Sequence, residues 1–288
     1  MALDASTKRN TSRRRVTLWS VLRWLLLAGL ICEIVACVVL YLIQDGLILP
    51  TQKLTAAQVK EIRAQYPALK EMRLTAADGV RLHGWAERGQ GHTADACILY
   101  FGGQAGEASG AVDEAAQQTG WSVVGFNYRG CGLSEGRPSE KALFADALAI
   151  YDALQRERHP RRIVVMGRSL GSGEAVYVAQ HRPVAATILI VPYDSIASVG
   201  QERYPLIPVR LIIKHPFDSL SRAPSIHTPM LTLAAERDTV IPPTHAQRLA
   251  ASWGGPTTVK ILPKVGHDDL ECDVYWRAIT RFLSRASN

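Results

Sequence analysis

Six short apolar runs, each closed by a turn signal and most of them separated by helical patterning, constrain the fold of this 288-residue chain more than any other feature. They are CILYF at 97–101, SVVGFNY at 122–128, RIVVMG at 162–167, ATILIV at 186–191, MLTLAA at 230–235 and TVKILP at 258–263. A strand that is apolar along its whole length has both faces covered, and alternation with helices predicts an α/β protein whose mostly parallel sheet carries helices on both faces. PTHAQRLAASW at 243–253 reads as one of those helices, amphipathic and placed between the last two runs. Ahead of them, 72–76 and 80–85 alternate apolar and polar residues around Asp78-Gly79, the pattern of an antiparallel hairpin. Chemistry in such a sheet is sought at the carboxyl ends of the strands.

Directly after RIVVMG comes Gly167-Arg168-Ser169-Leu170-Gly171, followed by SGEAVYVAQH with the apolar spacing of a helix. A G-x-S-x-G pentapeptide between strand and helix places its serine on a sharp turn, where flanking glycines are needed because a side chain would strike crowded backbone. Ser169 could instead be an ordinary helix N-cap. As a nucleophile it needs a neutral imidazole to take its proton and a carboxylate to hold that imidazole in the useful tautomer. Asp238 follows the strand MLTLAA, and His267 follows the last strand, giving the chain order Ser, Asp, His. Glu236 and Asp194, which also follow strand ends, compete for the acid. His181, His215, His227 and His245 compete less well for the base, since none follows the last strand.

Together these residues resemble the α/β-hydrolase family from Met72 to the C-terminus. Phe126-Asn127-Tyr128-Arg129-Gly130-Cys131-Gly132-Leu133-Ser134-Glu135-Gly136 is similar to the D-Y-R-G-x-G-x-S-x-G segment of small-lid, membrane-associated members, which include acyl-protein thioesterase-like, esterase-like and serine aminopeptidase-like proteins, with Asn127 in place of Asp. Tyr100-Phe101-Gly102-Gly103-Gln104-Ala105 resembles the H-G-N-A turn of the family, with Gly102 for His and Gln104 for Asn. The resemblance implies an α/β-hydrolase fold, a nucleophile at Ser169, and an oxyanion hole built from the backbone amides of Gln104 and Leu170. It also implies a short lid, at 197–229. Arg129 is expected to tie its loop together through carbonyls or Glu135.

Trp24 to Ile43 contains one ionisable residue, Glu33, and as a helix would span roughly 30 Å, enough to cross a bilayer once. Lys8, Arg9, Arg13, Arg14, Arg15 and Arg23 precede it, so the N-terminus is expected on the cytoplasmic side and the remainder on the outer side, periplasmic if the source is bacterial. A cleaved signal peptide is the main alternative, although no clear A-x-A site is present. The expected layout is a basic tail at 1–23, a transmembrane helix at 24–43, a connector at 44–70 and a hydrolase domain at 71–288. Because most of the net charge of +7 lies in that tail, the folded part offers no basic face for nucleic acid. The cysteines have neither C-x-x-C nor metal-ligand spacing, and a bridge between Cys131 and Cys272 is a minor possibility.

The expected activity is hydrolysis of a carboxylic ester or thioester, with a lipid among the candidate substrates and with no metal or cofactor required. Amide or peptide cleavage on the same fold, and a catalytically silent interaction protein tethered to the membrane, are the alternatives.

Overall fold

The computed structural model describes residues 18–49, 51–90, 95–104, 107–270 and 272–286. The chain begins with α1 (Leu18–Ile48) and α2 (Ala56–Gln65), then forms the hairpin β1 (Lys70–Thr75) and β2 (Arg81–Glu87). Gly79 takes a positive φ of 83° in the hairpin turn, a conformation that favours glycine. Strands and helices alternate from there: β3 (Ala96–Phe101), α3 (Ser109–Thr119), β4 (Ser122–Phe126), α4 (Glu140–Arg158), β5 (Arg162–Arg168), α5 (Gly171–His181) and β6 (Ala186–Ile190). The remainder is α6 (Ile196–Arg203), α7 (Val209–Ile212), a 3-10 turn at Ala223–Ser225, β7 (Met230–Ala235), α8 (Pro243–Ala251), β8 (Thr257–Leu262) and α9 (Asp273–Ala286).

The eight strands form one sheet in the order β1-β2-β4-β3-β5-β6-β7-β8. β1 and β2 pair antiparallel, β2 runs antiparallel to β4, and every later pairing is parallel. Burial explains why the strands read as apolar runs. Leu99, Val165 and Leu189 point to one face and pack with Leu154 of α4, Val176 of α5 and Leu249 of α8. Ile98, Val164 and Ile188 point to the other and pack with Val112 of α3 and Ile279 of α9. Each such side chain contributes on the order of 1.5–3 kcal/mol relative to exposure. β8 departs from the expected buried strand. It is the outermost strand, only Leu262 is buried in it, and Lys260 stands on its exposed run as charged residues commonly do at sheet edges.

The expected span at 24–43 lies within α1, a helix long and apolar enough to cross a membrane. The basic tail falls largely outside the described residues. Residues 44–70 contain more structure than a connector: α1 continues to Ile48, Leu49 is buried beside Leu170 and Tyr128, and α2 starts with a capping box between Thr55 and Gln58. Between the two helices the chain lies against the domain, Gly132 donating to Gln52 O at 2.8 Å.

Candidate active site

The turn after β5 is so tight that it admits only glycine two positions to either side of Ser169. A Cβ added at Gly167 would lie 2.2 Å from Gly171 O, and one at Gly171 would lie 2.2 Å from Phe101 O. Ser169 has φ 50°, the left-handed region that a non-glycine residue enters only when its surroundings hold it there. Its N–H donates to Ile190 O at 2.8 Å, and its carbonyl accepts from Ser172 Oγ at 2.7 Å. Leu170 rather than Ser169 is the N-cap of α5. Ser169 Oγ is therefore not used for capping and lies 3.0 Å from His267 Nε2.

His267 Nδ1 lies 2.7 Å from Asp238 Oδ2. A carboxylate can only accept, which assigns the ring proton to Nδ1 and leaves Nε2 as an acceptor for the serine hydroxyl. The other oxygen of Asp238 accepts from the backbone N–H groups of Val240 and Ile241, each at 2.8 Å. The Asp238 side chain is fully buried, and that of His267 nearly so. The competing acids are engaged elsewhere: Glu236 accepts from Lys264 N at 2.7 Å, and Asp194 bonds His245 at 2.7 Å and Arg248 at 2.6 Å. The structure thus brings Ser169, Asp238 and His267 into one hydrogen-bonded series.

Gly102 O accepts from Gly171 N at 3.0 Å and from Tyr128 OH at 2.6 Å, clamping the Gly102-Gly103-Gln104 turn against the serine turn. A Cβ at Gly103 would stand 3.7 Å from Ser169 Cβ, so the backbone of that turn runs close beside Ser169. The Gln104 side chain donates to Leu47 O of α1 at 2.6 Å, a link not readable from spacing because 57 positions separate the two. Tyr128 stands out in the sequence only as part of a motif; deep burial raises its phenol well above the ordinary value, so it serves as a neutral donor.

Two further expectations change. Arg129 bonds Asp146 at 2.7 and 2.5 Å and Asp78 at 2.8 Å, while Glu135 pairs with Arg81, so the arginine ties its loop to α4 and the hairpin turn. The carboxylates rather than carbonyls hold it because Asp146 is buried beside it and needs a counter-charge. Cys131 and Cys272 are free thiols, the first fully buried.

Two cavities meet at Ser169. One, of about 440 Å³, is mostly apolar and is walled by Leu40 and Leu47 of α1, Val199 of α6, Ile212 of α7 and Ile241. The other, of about 750 Å³, mixes polar and apolar walls and includes His267, Arg168, Glu107, Asp113 and Asp268. The segment 197–229 is neither wholly core nor wholly lining: Val209 is buried, Ile212 and Ile213 face the first cavity, and Leu206 and Leu211 are exposed.

The family described as serine aminopeptidase, S33, matches residues 92–214. An uncharacterized protein of Mycobacterium tuberculosis is 36% identical over 240 residues, covering 81% of this chain and 85% of that protein. An uncharacterized membrane protein of Saccharomyces cerevisiae is 30% identical over 280 residues, covering 92% of this chain and 98% of that one. The esterase Pf2001 of Pyrococcus furiosus superposes with a TM-score of 0.65 over 83% of this chain and 99% of its own, at 19% identity, a likeness of fold. The chain belongs to the α/β-hydrolase family, with residues 92–214 similar to its serine aminopeptidase, S33, members. Its class is that of a hydrolase.

Proposed function

We propose that the protein is a membrane-anchored serine hydrolase that cleaves a carboxylic ester or thioester through an acyl-enzyme on Ser169. The observation that carries this is the series from Ser169 Oγ through His267 to Asp238, at 3.0 and 2.7 Å, on a strained strand-to-helix turn. Ser169 Oγ attacks the acyl carbon as His267 Nε2 takes its proton, and the imidazolium, steadied by Asp238, returns that proton to the departing alcohol or thiol. Water, activated by the same imidazole, then releases the acid. The backbone amides of Leu170 and Gln104 receive the charge that develops on the carbonyl oxygen. Neither donor is a side chain, so the replacement of the family's Asn by Gln104 leaves that role intact. α1 holds the hydrolase domain at the bilayer, on the side opposite the basic tail.

A membrane-impermeant fluorophosphonate applied to sealed, right-side-out vesicles tests nucleophile, anchor and orientation together. Wild type is expected to be labelled and to stay with the membranes after an alkaline wash, and Ser169→Ala is expected to lose the label. Equal labelling of the two would remove Ser169 as nucleophile, whereas a labelled band released by the wash would remove the anchor.

Peptide cleavage has one observation in its favour: Glu107, Asp113 and Asp268 border the larger cavity, where a free amine would be attracted. Glu107 is already committed, accepting from Trp85 Nε1 at 2.7 Å, from Ser109 and from Asn127. The cavity therefore suits an ester or thioester better than a peptide amine.

A further inference from the structure

The two cavities at Ser169 differ in the residue that performs the proton transfers. His267 borders the larger, mixed cavity and not the apolar one. A leaving group must receive its proton from that imidazole, so it belongs in the mixed cavity, and the acyl portion belongs in the apolar groove. One wall of the groove is the last part of α1, through Leu40, Gln44, Leu47 and Ile48. A helix over 24–43 already fills the roughly 30 Å of a bilayer's hydrocarbon. Leu40 therefore stands in the last turn within the hydrocarbon, and Ile48 lies about 12 Å further along the axis. The groove thus begins at the depth where hydrocarbon gives way to headgroups.

The opposite wall is placed at the same depth. Gln44 Nε2 donates to Ile212 O at 3.1 Å, and Lys214 N donates to Gln44 Oε1 at 2.7 Å, fastening α1 to α7 and the residues after it. In the segment that leads into that junction Leu206 and Leu211 are 85% and 86% exposed, with Arg203, Arg210 and Lys214 close to them in sequence. Bare leucines flanked by basic residues have the composition of a surface that rests on anionic headgroups with its apolar tip in the acyl region. The end of α1 also supports the turn beside the nucleophile, through the bond from Gln104 to Leu47 O.

We propose, resting on the serine-hydrolase reading, that α1 is part of the acyl-binding site as well as an anchor. A fatty acyl ester or thioester resident in the same bilayer enters sideways, its chain lying between α1 and the α6–α7 segment and its carbonyl at Ser169. The Oγ–acyl bond forms as the bond to the alcohol oxygen or thiol sulfur breaks, and His267 carries the serine proton to that departing atom in the larger cavity. Water then splits the acyl-enzyme, and the fatty acid leaves by the groove to the membrane.

The test uses the full-length protein in phosphatidylcholine nanodiscs with p-nitrophenyl acetate, octanoate and palmitate. Wild type is expected to favour octanoate and palmitate over acetate in kcat/KM by about tenfold or more, since a groove that buries several methylenes gains from each of them. Leu47→Trp and Val199→Trp, from opposite walls, are each expected to lower the palmitate-to-acetate ratio by about tenfold, a ratio that does not depend on how much protein is folded. Retained fluorophosphonate labelling with a flat chain-length profile, or a ratio unmoved by both tryptophans, would overturn the groove while leaving the hydrolase reading in place. Absence of labelling in wild type would overturn both.

Discussion

Asp238 divides its two carboxylate oxygens between two tasks. Oδ1 accepts the amides of Val240 and Ile241 and so fixes the loop after β7, while Oδ2 holds His267 Nδ1. Asp238→Asn can keep the first task, because the amide oxygen still accepts, but it places either an NH2 or the wrong tautomer against the imidazole. Ester turnover is expected to fall by about a thousandfold or more with little change in Tm, as loss of the orienting carboxylate does in triad serine hydrolases. A variant that keeps more than about a tenth of wild-type kcat would dissociate Asp238 from the reaction. Ser169, Asp238 and His267 were legible because each follows a recognisable strand end, and their order along the chain multiplied three weak signals. The Gln104–Leu47 bond and the Arg129–Asp146 pair were not legible, because side-chain partners across long sequence separations depend on how helices settle and not on local pattern.

Among the elements, α5 follows the Ser169 turn directly and carries a liability. Glu174, one turn into the helix, is wholly buried, and neither of its carboxyl oxygens has a hydrogen-bond partner. Burial, reinforced by the like charge of Glu140, pushes its carboxyl from 4.5 up to about 8. The folded protein therefore keeps a proton that the unfolded chain releases, and this contribution to stability is complete below pH 4.5 and lost as pH rises toward about 8. Thermal melts across that window are expected to show wild type losing several degrees more than Glu174→Gln, with the variant the more stable of the two at the alkaline end. Parallel pH curves for the two proteins would mean that Glu174 keeps its proton equilibrium unchanged on folding. The parallel strands β3 to β7 were foreseen because burial on both faces leaves an unbroken apolar run, whereas β8, although foreseen as a strand, is buried only at Leu262. The α6–α7 segment was not resolved into core and lining, because a single amphipathic stretch serves both: Val209 turns inward while Leu211, two residues on, is exposed.

At the scale of the whole molecule, α1 is docked against the hydrolase domain as well as extending from it. Gln44 is buried and uses both ends of its amide to join α1 to Ile212 O and Lys214 N, while Asp45 adds an ion pair with Lys214 at 3.4 Å. The ion pair is half exposed and is worth about 1 kcal/mol at most. The buried amide matters more, because removing it strands a backbone donor and a backbone acceptor, at roughly 1–3 kcal/mol. The helix was expected from hydropathy, but its continuation to Ile48 and the bonds of Gln44 to Ile212 and Lys214 were not, since partners so far apart in the chain leave no local pattern. Gln44→Ala should therefore loosen the junction without unfolding the sheet, whose core lies elsewhere. Hydrogen exchange is expected to quicken by about tenfold at 212–214 and at the end of α1, following the cost of those lost bonds, and to stay unchanged in β3, β5 and β6. Uniform protection in variant and wild type would show that the Gln44 amide is not what holds α1 to the domain. An acceleration spread over the whole sheet would instead make α1 a part of the domain's cooperative fold.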